Sequence, residues 1–293
     1  MRLGVVILPE ERWADAAGVW RDAESLGFTH GWTYDHLAWR SLRDSPWFAA
    51  IPVLAAAATV TSSLRLGTLV ASPNFRHPVP LAREVLALDD ISAGRLDLGL
   101  GAGGEGWDAT MLGHAPWPAA ERAERFAEFV DLLDTLLTKR RVSYTGRYYR
   151  ADEARSYPGC RQRPRVPFFV AATGKKAMSV VARHGQAWVT AGPRVTDRPL
   201  GAEEGARAVE RQLRLLEAAC EDVGRDHRNL RKVVLTGVAL DQGTTSEQRF
   251  AHVIGSYEEI GVTDLVVHWP RPSEPFVGER AVFERVIAAT PSG

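Results

Sequence analysis

The chain has 293 residues, of which 45% are hydrophobic and 25% are charged, and its 36 basic and 36 acidic residues cancel. A neutral balance gives no sign of nucleic acid or an anionic membrane as partner, and no apolar run approaches the roughly 18 residues of a membrane span. Two unclustered cysteines, Cys160 and Cys220, indicate neither a disulfide framework nor a zinc site. We therefore expect a soluble cytoplasmic protein that acts on a small molecule, without a metal, membrane or nucleic-acid partner.

Short apolar runs alternate with longer amphipathic segments along the whole chain. In chain order the predicted strands are 3–8, 28–36, 64–72, 95–101, 167–172, 187–190, 233–240 and 264–269. Each precedes a segment with helical spacing of apolar residues, and the clearest of these begins at about 119, with Phe126, Phe129 and Val130 on one face. Eight strand–helix units predict an α/β fold, a (β/α)8 TIM barrel, with a doubly wound open sheet as the alternative.

One stretch fits neither half of a strand–helix unit. Residues 139–166 have the pattern of a hairpin, with Gly146 at its turn, followed by an irregular loop. This stretch is predicted to be an insertion between units four and five. Because composition does not change sharply anywhere, we treat residues 1–293 as a single domain that carries this insertion.

The stretch 99–107, GLGAGGEGW, is the most glycine-rich part of the chain and contains G-x-G-x-x-G twice. A dinucleotide-binding loop requires a strand, the glycines, and a helix that begins at once. Here Pro116 and Pro118 delay any long helix until Ala119. The dinucleotide interpretation is therefore weak. The alternatives are a simple turn, or bare backbone that a flat ligand approaches at the catalytic end of a barrel strand.

Several stretches, in their order and spacing, resemble the luciferase-like monooxygenase superfamily of flavin- and deazaflavin-dependent enzymes. They are YDHL, which closes the second strand, GTLVASPNFRHP after the third, ALDDISAGRLDLGLGAGGEGW, and VAATGKKAMSVVARHGQAWVTAG. The likeness runs from the first strand to the eighth. It implies a (β/α)8 barrel, commonly dimeric, with a flavin or deazaflavin ring across the carboxyl ends of the strands.

Asp35 and His36 resemble the Asp-His pair of the branch that uses the deazaflavin coenzyme F420. The resemblance implies that His36 lies beside the reactive face of the ring as proton or hydrogen-bond donor. It also implies that Asp35 supports His36 and belongs to the cofactor site. Imidazole titrates near neutral pH, which suits that role. The alternative is that Asp35 caps a helix and His36 is a satisfied polar residue at a strand end.

The resemblance implies further contacts with the ring. A non-proline cis peptide is expected at Leu69–Val70 beneath the ring, and an ordinary trans strand end is the alternative. Ser72 is expected at the ring edge. Ala102 and Gly103 match a Thr-Gly pair of the family and are expected to offer backbone contacts.

Glu105, Trp39 and Trp107 are expected to face the substrate, with Glu105 as a third catalytic residue. Two of these positions depart from the family pattern. In members that oxidise sugar phosphates a glutamate base directly follows the Thr-Gly pair, where this chain has Gly104. The active-site tryptophan is also one position too close to His36. Both departures place a sugar-phosphate substrate in doubt.

The phosphate end of the cofactor needs amide and hydroxyl donors and positive charge. Candidates follow the fifth and sixth barrel strands, and they are Thr173, Gly174, Lys175, Thr190, Gly192 and Arg194. Lys176 and Arg271 are weaker candidates, since a single basic residue is more often a solvated surface residue.

The resulting prediction is an oxidoreductase that transfers a hydride between coenzyme F420 and a small organic substrate with a polarised C=C, C=N or C=O bond. The first alternative is a two-component FMN-dependent monooxygenase that uses FMNH2 and O2. The second is a barrel that serves as a non-catalytic subunit. A homodimer is expected, and a flavin or F420 reductase is the expected source of reduced cofactor.

Overall fold

The fold is an eight-stranded parallel barrel surrounded by helices, seen in a computed structural model that describes residues 1–193 and 198–290. Its strands are β1 Arg2–Val6, β2 His30–Thr33, β3 Arg65–Ala71, β4 Leu96–Leu100, β5 Arg141–Thr145, β6 Arg150–Arg155, β7 Phe168–Ala171, β8 Ala187–Thr190, β9 Arg231–Leu235 and β10 Asp264–His268. The barrel closes in the order β1-β10-β9-β8-β7-β4-β3-β2. Every neighbouring pair in it is parallel. The predicted (β/α)8 barrel is confirmed, and the open-sheet alternative is wrong.

In the described ranges one α-helix follows each barrel strand. The helices are α1 Trp13–Ser25, α2 Ala50–Val60, α3 Pro78–Ile91, α4 Ala119–Thr138, α5 Lys175–His184, α6 Ala202–Glu221, α7 Glu247–Glu258 and α8 Arg280–Ala288. In α4 the residues predicted to share one face, Phe126, Phe129 and Val130, are all buried, because the helix packs that stripe onto the barrel. Across the described residues, no helix combines the length and the apolar character that crossing a membrane requires.

Two predicted strands end earlier than their apolar runs. β2 ends at Thr33, so the three residues after it form the loop at the carboxyl end of the barrel. β9 ends at Leu235 instead of residue 240, because Gly237 has a φ of +93° and its N–H donates to the carbonyl of Leu240 at 2.6 Å. That turn breaks the strand, although the following residues are apolar.

The insertion between the fourth and fifth units is confirmed as an antiparallel hairpin of β5 and β6 that lies between α4 and β7. Glu128 of α4 accepts hydrogen bonds from the backbone N–H groups of Arg147, Tyr148 and Tyr149 at the hairpin turn. A Cβ at Gly146 would lie 1.9 Å from a carboxylate oxygen of Glu128. Glycine is therefore required for the hairpin to dock on α4.

A buried polar layer closes the amino end of the barrel. Asp264 accepts hydrogen bonds from Arg2 at 2.9 Å and from His30 Nε2 at 3.1 Å, and Arg231 also binds it. Trp32 Nε1 donates to His30 Nδ1 at 2.6 Å, which assigns the His30 proton to Nε2. Burial raises the pKa of Asp264, but its hydrogen bonds with His30 and Arg231 outweigh burial and hold that pKa far below its usual range. The opposite end of the barrel, where the strands finish, is left to the loops.

Candidate active site

His36 lies just beyond β2, and its ring is held by Asp108 of the loop after β4. His36 Nδ1 is bonded to Asp108 Oδ2, and the N–H of Leu37 donates to Asp108 Oδ1 at 2.6 Å. Trp47 Nε1 donates to the carbonyl of His36 at 2.8 Å. Asp108 is 4% exposed, whereas 27% of the His36 side chain is exposed. His36 is thus fixed through Nδ1 and its backbone while the rest of the ring faces the rim of the barrel.

In the described structure the hydrogen bonds of Asp35 go to Arg76 and none goes to His36, and the predicted roles of Asp35 in supporting His36 and in the cofactor site stay predictions. Both oxygens of the Asp35 carboxylate accept hydrogen bonds from Arg76, at 2.6 and 3.0 Å, and Arg76 also binds Glu84 at 2.9 Å. The side chains of Asp35 and His36 therefore take different partners. Burial raises the pKa of Asp35, against the opposing effect of Arg76. Asp35 joins the segment after β2 to the segment after β3.

Four buried rings, Tyr34, Trp39, His268 and Phe276, form an aromatic wall beside His36. Tyr34 is central, with ring centroids 5.8 Å from His36, 5.2 Å from Trp39 and 5.7 Å from His268. Phe276 stacks on His268 at 3.5 Å. The Tyr34 hydroxyl and His268 Nε2 share a hydrogen bond of 2.7 Å, and burial lowers the pKa of His268 to about 3. The wall is therefore uncharged at neutral pH.

The end of β3 is irregular, and two buried oxygen atoms there lack a partner. The Leu69–Val70 peptide is cis, where the register with β4 shifts. Just beyond, Ser72 is 2% exposed and Asn74 is 7% exposed, and in the described structure Ser72 Oγ and Asn74 Oδ1 make no hydrogen bond. Buried polar atoms normally have partners, so such atoms point to a missing ligand or water.

The first glycines of the 99–107 stretch let β4 pack against this irregular strand end. A Cβ at Gly99 would lie 1.9 Å from the carbonyl oxygen of Thr68, and one at Gly101 would lie 2.5 Å from Val70 Cγ2. Real Cβ atoms do not approach so closely, so both positions require glycine. These two glycines therefore serve the packing of β4 on β3.

The rest of the stretch is exposed backbone without a following helix. Ala102 is half-buried and Gly103 is exposed, with a φ of +71°. A Cβ at Gly103 would lie 2.6 Å from Asn74 Nδ2. Only a single 3-10 turn, Trp107–Ala109, comes before α4 begins at Ala119. A dinucleotide loop would have its helix here, so this arrangement does not fit one.

Glu105 and Trp107 form hydrogen bonds with neighbouring segments, and in the described structure neither forms one with His36. The Glu105 carboxylate accepts a 3.1 Å hydrogen bond from Arg122 at the start of α4, and its side chain is 71% exposed. Trp107 Nε1 donates to the carbonyl of Arg40 at 3.0 Å, and the Arg43 guanidinium lies 4.0 Å from the centre of the Trp107 ring. The carboxylate bonded to His36 belongs to Asp108, and the substrate-facing roles expected of Glu105 and Trp107 stay predictions.

The amino end of α5 presents the first group of predicted phosphate ligands. Thr173, Gly174, Lys175 and Lys176 are all exposed, and no side chain caps the helix. The first N–H groups of an α-helix have no partner within the helix, and they favour anions. Lys176 lies 3.5 Å from Glu124, so part of its charge is already balanced.

The second group of predicted phosphate ligands is occupied by internal contacts. The Thr190 hydroxyl donates to Gln212 Oε1 at 2.6 Å and accepts the N–H of Gly192 at 3.0 Å. Gln212 Nε2 donates in turn to the carbonyl of Gly192. In the described structure the Thr190 hydroxyl proton and the Gly192 N–H are both engaged within the protein, and a phosphate contact from these two residues stays a prediction. Arg194 lies in 194–197, outside the described residues.

Arg271 is likewise committed to the protein. Two of its nitrogens donate to the Glu10 carboxylate, each at 2.7 Å, and a third donates to the carbonyls of Ser273 and Pro275. This residue braces the loop after β10, and its phosphate contact stays a prediction.

A family model for luciferase-like monooxygenases matches residues 1–259. The chain belongs to this family. The match covers seven of the eight barrel strands and the loops that carry His36, Asp108 and Ser72.

Curated relatives agree with this luciferase-like membership. An F420-dependent hydroxymycolic acid dehydrogenase of Mycobacterium tuberculosis is 31% identical, over 89% of this chain and 72% of its own. An F420-dependent glucose-6-phosphate dehydrogenase of Beutenbergia cavernae is 34% identical, over 88% of each chain.

Solved structures share the fold of this luciferase-like chain. An F420-dependent secondary alcohol dehydrogenase in complex with an F420–acetone adduct superposes with a TM-score of 0.81 at 17% identity, over 99% of both chains. The coenzyme F420-dependent tetrahydromethanopterin reductase of Methanopyrus kandleri has a TM-score of 0.76 at 16% identity, over 98% of this chain and 97% of that one.

Sequence reasoning missed three residues of this luciferase-like site: Asp108, Arg76 and Asn74. Arg76 and Asn74 stand in the quoted stretch GTLVASPNFRHP, where only Leu69, Val70 and Ser72 were singled out. Asp108 directly follows Trp107, so a search for an acidic residue near the glycine stretch could have considered it beside Glu105. None of the three has a spacing signal that names its partner.

Proposed function

We propose that this luciferase-like protein is an oxidoreductase that transfers a hydride between the deazaflavin coenzyme F420 and a small organic substrate with a polarised C=C, C=N or C=O bond. The observation that carries the proposal is His36, whose Nδ1 is bonded to Asp108 and whose Nε2 has no hydrogen-bond partner in the described ranges. A partly exposed imidazole at the catalytic end of a barrel suits proton exchange with a substrate. The names of the two curated relatives support F420 as the coenzyme.

The loops after β3 and β4 fit a flat ring. Ser72 Oγ and Asn74 Oδ1 are buried oxygens without partners, and the exposed backbone at Gly103 allows close approach. The residues that would hold the ring are Leu69, Val70, Ser72, Ala102 and Gly103. At the phosphate end, Thr173, Gly174 and Lys175 at the amino end of α5 would supply hydroxyl, amide and ammonium groups.

His36 exchanges the proton that accompanies the redox step. When bound, a deazaflavin supplies a ring carbon that accepts or gives a hydride. His36 Nε2 takes a proton from the substrate heteroatom during oxidation and returns one during reduction. The aromatic wall excludes water from one side of His36, and the ion pair of Asp35 with Arg76 holds the loop that carries it.

The aromatic wall favours a substrate with an apolar body. All four rings are buried, and the Tyr34 hydroxyl is already bonded to His268. A polar sugar ring beside this wall would lose hydrogen bonds to water without replacing them. We propose a secondary alcohol and its ketone as the substrate pair. The hydroxymycolic acid relative and the secondary alcohol dehydrogenase support that class.

A comparison of cofactors tests the proposal. Purified protein is titrated with F420 and with FMN, each followed by fluorescence, and is then assayed for F420-linked oxidation of secondary alcohols. We expect saturable F420 binding and turnover that His36→Ala abolishes, while the exposed His252→Ala serves as the matched control. Binding of FMN alone, with oxygen consumption, would support the two-component monooxygenase. Unchanged turnover in His36→Ala would contradict the role of His36 and favour a non-catalytic barrel.

A cytoplasmic homodimer, supplied with reduced coenzyme by a separate flavin or F420 reductase, completes the proposal. An apolar cavity of about 400 Å³ between α1, α2 and the segment after β1 supports the dimer. Trp13 and Phe48 line it and are 36% and 41% exposed. Apolar surface of this kind is typical of interfaces. Light scattering should give twice the 32.2 kDa chain mass, and Phe48→Asp should halve it. A monomeric wild type would rule the dimer out.

A further inference from the structure

The His36 ring has one nitrogen engaged and one available. Nδ1 is bonded to Asp108 Oδ2, and the other carboxylate oxygen accepts the N–H of Leu37 at 2.6 Å. The two carboxylate oxygens of Asp108 therefore bind His36 and Leu37, which are consecutive residues of the loop after β2. No lysine or arginine of the described ranges forms an ion pair with Asp108, although the charges of Arg76 and Asp35 lie close enough to interact with it.

A carboxylate accepts hydrogen bonds and cannot donate them when ionised. Nδ1 must therefore carry the ring proton, and the neutral ring must leave Nε2 as an acceptor. Without such a partner a neutral imidazole can exchange between two tautomers. In one of them the acceptor nitrogen is Nδ1 instead of Nε2. The second bond of Asp108, to the N–H of Leu37, prevents the carboxylate from turning away.

We infer that Asp108 is a positioning residue that holds His36 in the Nδ1-protonated tautomer, so that Nε2 exchanges the substrate proton. The inference rests on the proposed function for the identity of the reaction. In alcohol oxidation the C–H electron pair leaves with the hydride to oxidised F420. The O–H electron pair forms the carbonyl bond, and the proton goes to Nε2. The negative charge of Asp108 then lies against the positively charged ring. Reduction reverses each transfer.

The burial of Asp108 supports this role over a simple loop contact. It is 4% exposed and lies in the single turn Trp107–Ala109. A buried carboxylate that has no directly bonded cation carries a desolvation cost, which a protein tolerates only when hydrogen bonds offset it. Here the offsetting donors are His36 Nδ1 and the N–H of Leu37.

A matched control exists elsewhere in the chain. His184 Nε2 and the Asp131 carboxylate form another histidine–aspartate pair, at 2.7 Å, between α5 and α4 on the outside of the barrel. Asp131→Asn makes the same chemical change as Asp108→Asn without touching any residue of the candidate site. It should lower the pKa of His184, which hydrogen bonding to Asp131 raises, and leave turnover unchanged.

The first measurement needs no coenzyme. Ring ¹⁵N chemical shifts of histidine-labelled protein distinguish a protonated from an unprotonated nitrogen, and His36→Gln assigns the signals. We expect wild-type His36 to be protonated at Nδ1 when neutral. Asp108→Asn should give a mixture of tautomers, and Asp108→Glu should keep the wild-type form. An Nε2-protonated His36 in the wild type overturns the inference, whatever the coenzyme proves to be.

The second measurement is kinetic. Asp108→Asn should lower kcat by roughly 10²-fold and change the pH profile, while the fluorescence Kd for F420 stays at the wild-type value. Asp108→Glu should recover part of the loss. Equal loss in Asp108→Asn and Asp108→Glu, or a kcat of wild-type size in Asp108→Asn, overturns the inference. If the wild type binds no F420, the proposed function fails, and the ¹⁵N measurement alone decides the role of Asp108.

Discussion

The Arg271 guanidinium donates hydrogen bonds of 2.7 Å from Nε and from Nη2 to the two carboxylate oxygens of Glu10. The contact joins the loop after β10 to the loop after β1. Only 13% of the Arg271 side chain and 18% of the Glu10 side chain are exposed. Because the third nitrogen of Arg271 binds the carbonyls of Ser273 and Pro275, this ion pair braces the loop that places Phe276 on His268.

Glu10→Gln should lower the free energy of unfolding by about 1–3 kcal/mol, because the mostly buried Arg271 guanidinium would lose its carboxylate partner. Urea denaturation checks this. The control is Glu284→Gln, which removes a carboxylate from the exposed pair with Arg280 and should change stability by less than about 0.5 kcal/mol. Equal effects of the two substitutions would show that the Glu10 pair does not brace the fold.

Ser72→Ala should act in opposite directions on stability and on binding. Its buried hydroxyl has no partner in the free protein, so removal should leave stability unchanged or raise it by about 1 kcal/mol. The same change should weaken F420 binding by roughly fivefold, the equivalent of one hydrogen bond. Urea denaturation and fluorescence titration measure the two effects.

Thr33→Val is the matched control for Ser72→Ala. Thr33 Oγ1 is also buried without a partner, but it belongs to strand β2 and not to the loops that follow β3 and β4. This variant should show the same stability response with an unchanged Kd for F420. A similar loss of binding in both variants would remove Ser72 from the cofactor site.

Gly103→Ala should destabilise the loop after β4. The new Cβ would lie 2.6 Å from Asn74 Nδ2 at a φ of +71°, which costs about 1–2 kcal/mol for the backbone alone. Gly106→Ala is the control, because its Cβ meets nothing within 4 Å. Thermal unfolding and F420 titration should both be affected in Gly103→Ala only. A Gly103→Ala protein of wild-type Tm and Kd would contradict the assigned contact.

Stability should fall as the pH falls from about 6.5, the pKa of an unfolded histidine. Burial lowers the pKa of His268 to about 3, so between these values the unfolded chain binds a proton that the folded protein does not. Stability then decreases towards acid by at most about 1.4 kcal/mol per pH unit from this group. Burial lowers the pKa of His30 as well, with the same sign.

His268→Gln tests this slope. Urea denaturation at several pH values between 7.5 and 5 should show a shallower loss of stability than in the wild type. His252→Gln, at an exposed site, should keep the wild-type slope. A slope that is the same in all three proteins would mean that His268 does not titrate differently in the folded and unfolded states.

Most of the fold was predictable because its signals are local. Apolar runs and amphipathic segments predict strands and helices within short windows, and they located every barrel strand and the inserted hairpin. The errors lie at strand ends. Val238, Ala239 and Leu240 look like a continuation of β9, but the turn at Gly237 ends the strand before them. A pattern of apolar residues does not reveal which glycine has a positive φ.

The amino-acid sequence by itself placed His36 at the end of a barrel strand and glycines at the end of β4, because strand periodicity and glycine content are local properties. Only the tertiary structure decided which groups these residues meet. Asp108 is 72 residues from His36, and Arg76 is 41 residues from Asp35. Thr190 loses its free hydroxyl to Gln212, 22 residues further on. Such partners are selected when the barrel closes and brings separate loops together, and no spacing within a single segment records that choice.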